Sequence, residues 1–334
     1  MIDPRLPGLA TATDDSAMAA LLARVLAERW PRLRHVEHAV LKHAPGKHCV
    51  IEYRFELDGT GSGRLIGKLY REPRGAVRYG HLRSVHEHVG TNGHVGHGLG
   101  VPEPLAYIAE LGMVLETAVP GTELSRLGAD TDWTVAMRAV AENLAILHDL
   151  PSPAETRTMA DHVRKLCRPR PHELIAAHPD FADVVGNILQ ALALADAGAD
   201  GHSSLVHGDL GMGQILLSGA RSYFVDLDGL CRSHAALDIA NFLVSLRLKL
   251  GPMSAEPERV FIDRYRELRP GESLADLDAY QALAYLRRAV AGFRPTATPE
   301  ARERGERLLA IANWIARAAM DAMPGPGLPQ RWES

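Results

Sequence analysis

Two acids and an amide follow apolar runs in the middle of the chain, and these residue types could transfer a phosphoryl group. Asp209 closes the run at 205–208, and Gln214 stands five residues later. Asp226 closes a second run at 222–225. Phosphoryl transfer from a nucleotide needs an acid that orients or deprotonates a hydroxyl, together with oxygen ligands that hold magnesium against the phosphates. These three side chains are the parts that such a reaction requires.

A hairpin is the element that would position this group. Residues 215–217 and 222–225 are strand-like, and Ser218–Arg221 between them contains turn residues. Pairing of the two strands would bring both acids and the amide to one edge. An exposed loop aspartate is the ordinary alternative for Asp209 alone, but three such residues in this order are a rarer coincidence.

Composition sets limits on the class of protein. The 334 residues are enough for two domains or one large two-lobed domain. The formal net charge of -4 gives no basic excess that would favour nucleic acid as a partner. No apolar run approaches the roughly 20 residues that span a bilayer, and the N-terminus lacks the form of a signal peptide. The sequence therefore predicts no membrane partner and leaves the oligomeric state open.

Cysteine and histidine usage bear on the compartment and on metals. The three cysteines are far apart and form no C-x-x-C, so we expect a cytoplasmic protein without a disulfide framework. Histidine is frequent, at 16, and several lie between His35 and His97, His94 among them. Their spacing fits no familiar zinc pattern, so surface or capping histidines are the simpler interpretation. A histidine-rich metal protein is kept as an alternative.

The first 117 residues have the patterns of a small antiparallel sheet with one inserted helix. Ile51, Tyr53, Phe55 and Leu57 alternate with polar residues, as in a half-buried strand. The other predicted elements are a helix over 15–29, strands over 38–42, 64–70, 106–108 and 113–116, and a helix over 76–89. A composition change at Val119-Pro120-Gly121 then ends this part.

Helices dominate the rest of the chain. They are predicted over 133–150, 181–197, 236–250, 257–268, 274–293 and 299–323, followed by a frayed tail over 324–334. We therefore expect a nucleotide-binding lobe with a leading helix over 1–117 and a helical catalytic and substrate lobe over 118–334. A cleft between lobes is a common place for a ligand.

Three blocks carry a resemblance to a known family. His207-Gly208-Asp209 with Gln214, then residues 224–228, then residues 236–242 resemble the aminoglycoside phosphotransferase and choline kinase family. The resemblance implies an α+β, two-lobed protein-kinase-like fold with a small antiparallel-sheet N-lobe and a large helical C-lobe. It also implies phosphorylation of small hydroxylated molecules with ATP and Mg²⁺.

The resemblance assigns roles to the central residues. Asp209 would be the catalytic base or hydroxyl-orienting acid, and Asp226 the main magnesium ligand. Gln214 stands where the family usually has Asn. Maltokinase-like branches also carry Gln at this position, and Gln keeps the same carbonyl oxygen for magnesium. His207 would support the loop by packing and hydrogen bonding. Asp238 would cap the following helix and brace the loop.

The resemblance extends to four N-terminal residues with cofactor-binding roles. Lys68, inside the third strand, would contact the nucleotide phosphates, and a lysine that reaches solvent is the alternative. Its expected partner is Glu87, the only acid between Arg74 and Pro102. The turn with Gly46 takes the place of a glycine-rich phosphate loop. Glu116 lies in the lobe-connecting hinge, whose backbone would bind the adenine edge.

The sequence thus favours an ATP- and Mg²⁺-dependent O-phosphotransferase acting on a hydroxyl of an amino sugar, a sugar or an amino alcohol. A cationic acceptor would require acids on the C-terminal helices, where the candidates are Asp263, Glu267, Glu272, Asp276 and Asp278. The alternative is a catalytically inactive nucleotide-binding or regulatory protein with the same fold, because Gln214 and the poor phosphate loop depart from the family pattern. Asp228 could assist the metal or be simply exposed, and exposure is favoured.

Overall fold

A computed structural model describes residues 1–58, 61–71, 74–91, 99–128, 130–152, 154–197 and 203–322. Its strands are β1 (Leu33–Ala44), β2 (His48–Leu57), β3 (Gly61–Tyr70), β4 (Pro104–Ile108), β5 (Met113–Thr117), β6 (Thr122–Glu123), β7 (Ser204–Val206), β8 (Ile215–Ser218), β9 (Arg221–Phe224) and β10 (Cys231–Ser233). Its helices are α1 (Leu9–Ala12), α2 (Asp15–Val25), α3 (Arg74–Thr91), α4 (Trp133–Asp149), α5 (Met159–Leu166), α6 (Pro171–Ala177), α7 (Ala182–Ala197), α8 (Ala236–Leu250), α9 (Ala255–Leu268), α10 (Leu277–Ala289) and α11 (Pro299–Ala322). Three predicted features, His94, His97 and the tail over 324–334, lie outside the described residues.

The chain divides into two compact units. The first contains Met1–Thr122, Pro151–Pro153 and Leu216–Asp228, and the second contains Glu123–Leu150, Ala154–Ile215 and Gly229–Ser334. The expected boundary at residue 117 treats each part as one continuous stretch, whereas the first unit also takes in two later segments. The segment Leu216–Asp228 brings β9 and two aspartates into the unit that holds the N-terminal sheet.

The sheet of the first unit has the strand order β1-β2-β3-β5-β4, and its neighbouring strands are antiparallel. Alternation in β2 buries Ile51, Tyr53 and Phe55 against α2, as the period of two predicts. Asp14 caps α2 by accepting a hydrogen bond from the Ala17 N–H at 2.8 Å. These contacts fix the sheet that carries Lys68.

Strand β1 is longer than predicted. Its register shifts between Arg34 and Val36 and again between Val40 and Lys42, and His35 has a φ of 44°. Because a bulge interrupts the alternation of apolar and polar residues, the sequence pattern shows only the central piece of the strand.

The second unit is mainly helical. Helix α8 is central: most of its side chains are buried, and it packs with α10 in the core of the unit. In α4 the apolar stripe of Val140, Leu144 and Leu147 is fully buried, as its helical spacing predicts. The two units together confirm the predicted α+β class, with an antiparallel sheet first and helices after it. Among the described helices, none is both long and apolar enough to cross a membrane.

Candidate active site

Lys68 forms a buried ion pair in the sheet of the first unit. Its Nζ lies 2.9 Å from Oε1 of Glu116, and only 8% of Lys68 and 4% of Glu116 are exposed. Glu116 is opposite Ile66 in the register of β3 and β5, so Lys68 lies diagonally across from it on the same face. A buried lysine needs such a partner, because an unpaired charge in the interior is costly.

The partner of Lys68 is therefore corrected from Glu87 to Glu116. Glu87 lies in α3, its side chain is 60% exposed, and it pairs with Arg83 one turn earlier at 2.9 Å. The buried face of α3 is marked by Leu82 and Val85, and the helical period turns position 87 away from it. Glu116 belongs to the neighbouring strand, and the strand register that places it beside Lys68 cannot be read from spacing along the chain.

Two further acids act on Lys68. Burial lowers the pKa of Lys68, but the charge of Glu116, followed by those of Asp226 and Asp228, outweighs it and holds this pKa above its ordinary value. Burial also raises the pKa of Glu116 beyond what the attraction of Lys68 offsets, and both aspartates add to the rise. The cluster thus has three carboxylates to one ammonium, a surplus of negative charge.

The backbone and a tyrosine hold the two aspartates. Asp226 has a φ of 61°, a left-handed conformation that aspartate tolerates better than most residues and that recurs at functional sites. Asp228 accepts a hydrogen bond of 2.6 Å from the hydroxyl of Tyr70. Burial, and then the charge of Asp228, raises the pKa of Tyr70 well above its ordinary value, so the hydroxyl stays a donor. Asp228 is half-buried and bonded, and not simply exposed as expected.

A divalent cation fits this surplus of carboxylates. Magnesium is usually bound by one or two carboxylates, with phosphate and water oxygens completing its shell. Asp226 and Asp228 supply that number. Within the described ranges, no three His, Cys, Asp or Glu side chains form a metal-binding group.

The turn between β1 and β2 uses its glycine for structure. Gly46 has a φ of 70°, and its N–H donates to Oδ2 of Asp3 at 2.7 Å. This hydrogen bond, more than any other cause, lowers the pKa of Asp3. In this conformation the amide that would contact a phosphate is bound to a carboxylate. His48 follows this turn at the start of β2, where burial lowers its pKa while Asp228 and Asp226 oppose the change.

Part of the backbone in the predicted hinge is already paired with neighbouring strands of the sheet. Glu116 in β5 is opposite Ile66 on one side and Pro104 on the other, and the N–H of Thr117 donates to Glu103 O at 2.9 Å. The chain leaves β5 after Thr117. The residues that could present free backbone groups to an adenine edge are therefore those that follow Thr117, while the Glu116 side chain serves Lys68.

The loop that carries Asp209 is held in the second unit by a buried carboxylate. Asp238, which is fully buried, accepts hydrogen bonds from the N–H groups of His207 at 2.6 Å and Gly208 at 2.9 Å. His148 lies between Asp238, at 3.3 Å, and the Tyr265 hydroxyl, at 2.7 Å. Burial raises the pKa of Asp238, but the hydrogen bond from His148 and the neighbouring charges outweigh it and lower this pKa.

Asp238 does not cap its helix. It is the third residue of α8, and Ala235 at the N-cap position has no side-chain hydrogen bond. The bracing of the loop, the other half of the expected role, is what the hydrogen bonds to the loop N–H groups provide. Gly208 adds a local requirement, since its φ is 80° and a Cβ there would lie 2.5 Å from Gly229 O.

Asp209 forms an ion pair with an arginine that was not predicted from the sequence. Its carboxylate, 45% exposed, forms an ion pair with Arg287 of α10, and the same guanidinium donates to Asn241 Oδ1 at 3.0 Å. One signal was present in the sequence: two adjacent arginines, Arg287 and Arg288, end an otherwise apolar helical stretch. Charged residues within such a stretch need partners.

Gln214 ends a short 3₁₀ turn after the loop. Its N–H donates to Gly211 O at 3.0 Å, and a Cβ on Gly211 would lie 3.2 Å from Oε1 of Gln214. The Met212 N–H donates to the Ser245 hydroxyl at 3.1 Å and anchors the turn on α8. The glutamine is half-buried and its carbonyl is held close to the backbone. The family's usual Asn is shorter by one methylene.

Most acids expected to bind a cationic acceptor are paired with arginines. The ion pairs are Asp263 with Arg259 at 3.1 Å, Glu267 with Arg264 at 2.9 Å and Glu272 with Arg269 at 2.7 Å. Asp276 also has an interaction partner, and Asp278 is exposed in the first turn of α10. The three paired acids balance the positive charges of their arginines.

Comparison with known proteins decides the family. Residues 50–274, more than half of the chain, match APH, the phosphotransferase enzyme family. The chain belongs to the phosphotransferase enzyme family. This membership confirms the resemblance and the enzyme class predicted from the His-Gly-Asp block. A comparison with curated protein sequences gives no significant match.

Solved structures of two enzymes share the fold. Choline kinase from Cryptosporidium parvum Iowa II has a TM-score of 0.62 at 11% identity, over 92% of this chain and 97% of that one. A thermostable mutant of aminoglycoside phosphotransferase APH(4)-Ia, in its apo form, has a TM-score of 0.61 at 18% identity, over 88% and 98%. A mutant of the same enzyme in a ternary complex with ADP and hygromycin B has a TM-score of 0.58 at 16% identity, over 86% and 98%. The predicted kinase-like fold is confirmed.

Proposed function

We propose that this phosphotransferase uses ATP and Mg²⁺ to phosphorylate a hydroxyl of a small molecule. The observation that carries the proposal is the buried Lys68–Glu116 pair with Asp226 and Asp228 beside it. A lysine fixed by a glutamate suits the recognition of phosphate, and the surplus carboxylates suit a divalent cation. One of the structural neighbours was solved with ADP, which supports a nucleotide as the phosphate donor.

The N-terminal unit would supply the groups on the nucleotide side. Lys68 would bind phosphate oxygens, and Glu116 would keep its ammonium in place. Asp226 would be the magnesium ligand of this unit, and the carbonyl of Gln214, a residue of the helical unit, would be a second ligand. When bound, Mg²⁺ neutralises charge on the phosphates and helps to orient them. Most of the rate gain would come from this positioning and charge neutralisation.

The loop of the helical unit would supply the group on the acceptor side. Asp209 would accept the hydrogen bond of the acceptor hydroxyl, orient its oxygen for attack and receive its proton. The two hydrogen bonds from the loop N–H groups to Asp238 would preserve the position of Asp209 between turnovers. The neighbours are named for an aminoglycoside and for choline, which share an alcohol group, and an alcohol is the acceptor proposed for this chain.

Replacement of Asp209 tests this proposal. Transfer of phosphate from ATP should fall by roughly 10³-fold in Asp209→Asn, within the range that a general base contributes, because the amide cannot take the proton. Nucleotide affinity should stay close to that of the wild type. The measurement is a screen of sugars, amino sugars, amino alcohols, sugar acids and hydroxy amino acids with labelled ATP, together with calorimetric titration of ATP.

Asp180→Asn is the matched control, since it makes the same chemical change at an exposed position of the helical unit that has no proposed role. It should leave transfer unchanged. Full activity of Asp209→Asn would exclude Asp209 as the base. Failure of the wild type to phosphorylate any compound of the screen, with nucleotide still bound, would favour the catalytically inactive alternative.

A further inference from the structure

The arginine at Asp209 is a built feature of the helical unit. Only 18% of the Arg287 side chain is exposed, and the guanidinium contacts Asp209 and Asn241 together. Each terminal nitrogen of an arginine carries two N–H groups, so these two acceptors need only one N–H from each nitrogen. The planar guanidinium can therefore bind a further carboxylate while it remains in place.

A second arginine and an amide add to the donors at this place. Arg288 donates to the carbonyl oxygens of Ala284 at 2.8 Å and Asn241 at 3.0 Å. Asn241 is 1% exposed, and within the described ranges its buried Nδ2 has no hydrogen-bond partner. An unsatisfied buried donor is costly, so the cluster lacks an acceptor.

The charges around Arg288 also favour an additional negative group. Burial, and then the positive charge of Arg287, lowers the pKa of Arg288 to about 10, and Arg304 acts in the same direction. Asp209 opposes them and is the one carboxylate among the groups acting most strongly on Arg288. The surroundings of the proposed base therefore carry a surplus of positive charge.

A cationic acceptor would meet an unfavourable environment here. Arg287 and Arg288 would repel an ammonium close to Asp209. Asp263, Glu267 and Glu272, which could have attracted it, are already paired with arginines of their own helices or loops. A negatively charged acceptor would instead balance the surplus of positive charge.

We propose that the acceptor is an anionic alcohol: a small hydroxylated carboxylate whose carboxylate binds Arg287 while its hydroxyl faces Asp209. The inference rests on the proposed function and names the substrate class of that site. The acceptor oxygen forms a bond to the γ-phosphorus of ATP as the bond from that phosphorus to the oxygen of ADP breaks. The hydroxyl proton passes to Asp209, and ADP leaves with the electron pair.

Matched ligand pairs test the proposal directly. D-glucuronate is compared with D-glucose and D-glucosamine, and 4-hydroxybutyrate with 1,4-butanediol, so that the sugar-acid and simple hydroxy-acid sources are separated. Binding is measured by calorimetry at constant ionic strength with ADP and Mg²⁺ present, so that no turnover occurs. In at least one pair the carboxylate should bind about tenfold or more tightly than its neutral partner, the range expected of a charge-assisted hydrogen bond.

Two arginine variants locate the site. Arg287→Gln should remove the preference for the carboxylate, whereas Arg287→Lys, which keeps the charge without the planar fork, should retain part of it. Arg307→Gln is the matched control: it makes the same charge change on α11, where Arg307 pairs with Glu303 and is 61% exposed. It should leave the preference unchanged. Far-ultraviolet circular dichroism checks that each variant is folded.

The outcomes separate this inference from the proposed function. Equal or tighter binding of the neutral and amino compounds would overturn the inference, as would an undiminished preference in Arg287→Gln or no binding of either carboxylate. Phosphorylation of amino sugars but not of hydroxylated carboxylates would also overturn the inference, while the proposed function would still hold. Selective carboxylate binding without any phosphate transfer would support the anion site and contradict the proposed function.

Discussion

The cluster around Lys68 has a surplus of negative charge, whereas the cluster around Asp209 has a surplus of positive charge. In the first unit, Lys68 is accompanied by Glu116, Asp226 and Asp228, so the cluster has more negative than positive charge. In the second unit, Asp209 is accompanied by Arg287 and by the half-buried Arg288, so positive charge is in surplus there. Each cluster would be balanced by a different ligand: a cation with phosphates for the first, and an anion for the second.

The clusters also differ in how their charges are held. Lys68 and Glu116 are almost fully buried and depend on each other. Asp209 is nearly half exposed, and its position depends on a loop whose backbone is bound to Asp238. A buried pair that loses one member leaves an uncompensated charge, whereas a half-exposed carboxylate can turn to water. Substitutions should therefore affect stability most in the first cluster and catalysis most in the second.

The largest expected effect on stability belongs to Lys68→Met. Loss of the ammonium leaves Glu116 buried without its counter-charge, which costs about 3–5 kcal/mol in comparable buried pairs. The midpoint of urea unfolding should fall accordingly, and ATP binding should be lost. The double variant Lys68→Met with Glu116→Gln is the control, and it should regain much of the stability without regaining ATP binding. A single variant as stable as the wild type would show that the pair is not buried.

Burial of His162 in the helical unit predicts that stability depends on pH. Its side chain is 1% exposed, and Nε2 lies 2.8 Å from the Ser233 hydroxyl. Burial, and then the charge of Arg157, lowers the pKa of His162 to about 4. The folded protein therefore keeps this histidine neutral at pH values where the unfolded chain takes up a proton.

This lowered pKa determines the direction in which the free energy of unfolding changes with pH. The stabilisation is present above the unfolded-state pKa of about 6.5 and is lost as the pH falls toward 4, up to about 3 kcal/mol. The free energy of unfolding, measured by urea titration between pH 7 and pH 4, should fall less steeply in His162→Gln than in the wild type. His172→Gln, which changes another histidine of this unit, should keep the wild-type slope. Identical slopes in all three proteins would mean that His162 has the same pKa in the folded protein as in the unfolded chain.

The smallest expected effect concerns Tyr70. Its hydroxyl donates to Asp228 at 2.6 Å, but Asp228 is half-buried and can replace that donor with water. Tyr70→Phe should therefore cost about 1–2 kcal/mol, below the upper range for a hydrogen bond to a charged group. Tyr79→Phe removes the same atom from another tyrosine of the first unit and should cost less. Equal losses, measured by thermal unfolding, would remove Tyr70 from the account of this cluster.

The sequence predicted the parts of the fold that rest on clear periodicity. Alternation located β2, and the apolar stripe located α4, because each pattern reports which face is buried. It did not locate α5 and α6, whose 8 and 7 residues are too short for a helical period to show. It also shortened β1, where bulges interrupt the alternation.

The motif residues of the candidate site were predicted from the sequence, but their partners were not. Asp209, Gln214 and Asp226 form a motif that can be read from the order of the chain, whereas the partners of Lys68 and Asp209 come from distant positions. Glu116 reaches Lys68 across a strand pairing, and Arg287 reaches Asp209 from 78 residues away. Neither contact leaves a spacing in the sequence, because each depends on the register of a strand or the face of a helix.

The central claim is that the surplus of carboxylates around Lys68 serves a metal–nucleotide complex. Thermal unfolding of the wild type with ATP and Mg²⁺ tests it most directly, since a ligand that binds only the folded state raises the midpoint. We predict a clear rise with ATP and Mg²⁺ together and little change with either alone. No rise at millimolar nucleotide, or an equal rise with ATP in the absence of any divalent cation, would contradict the account.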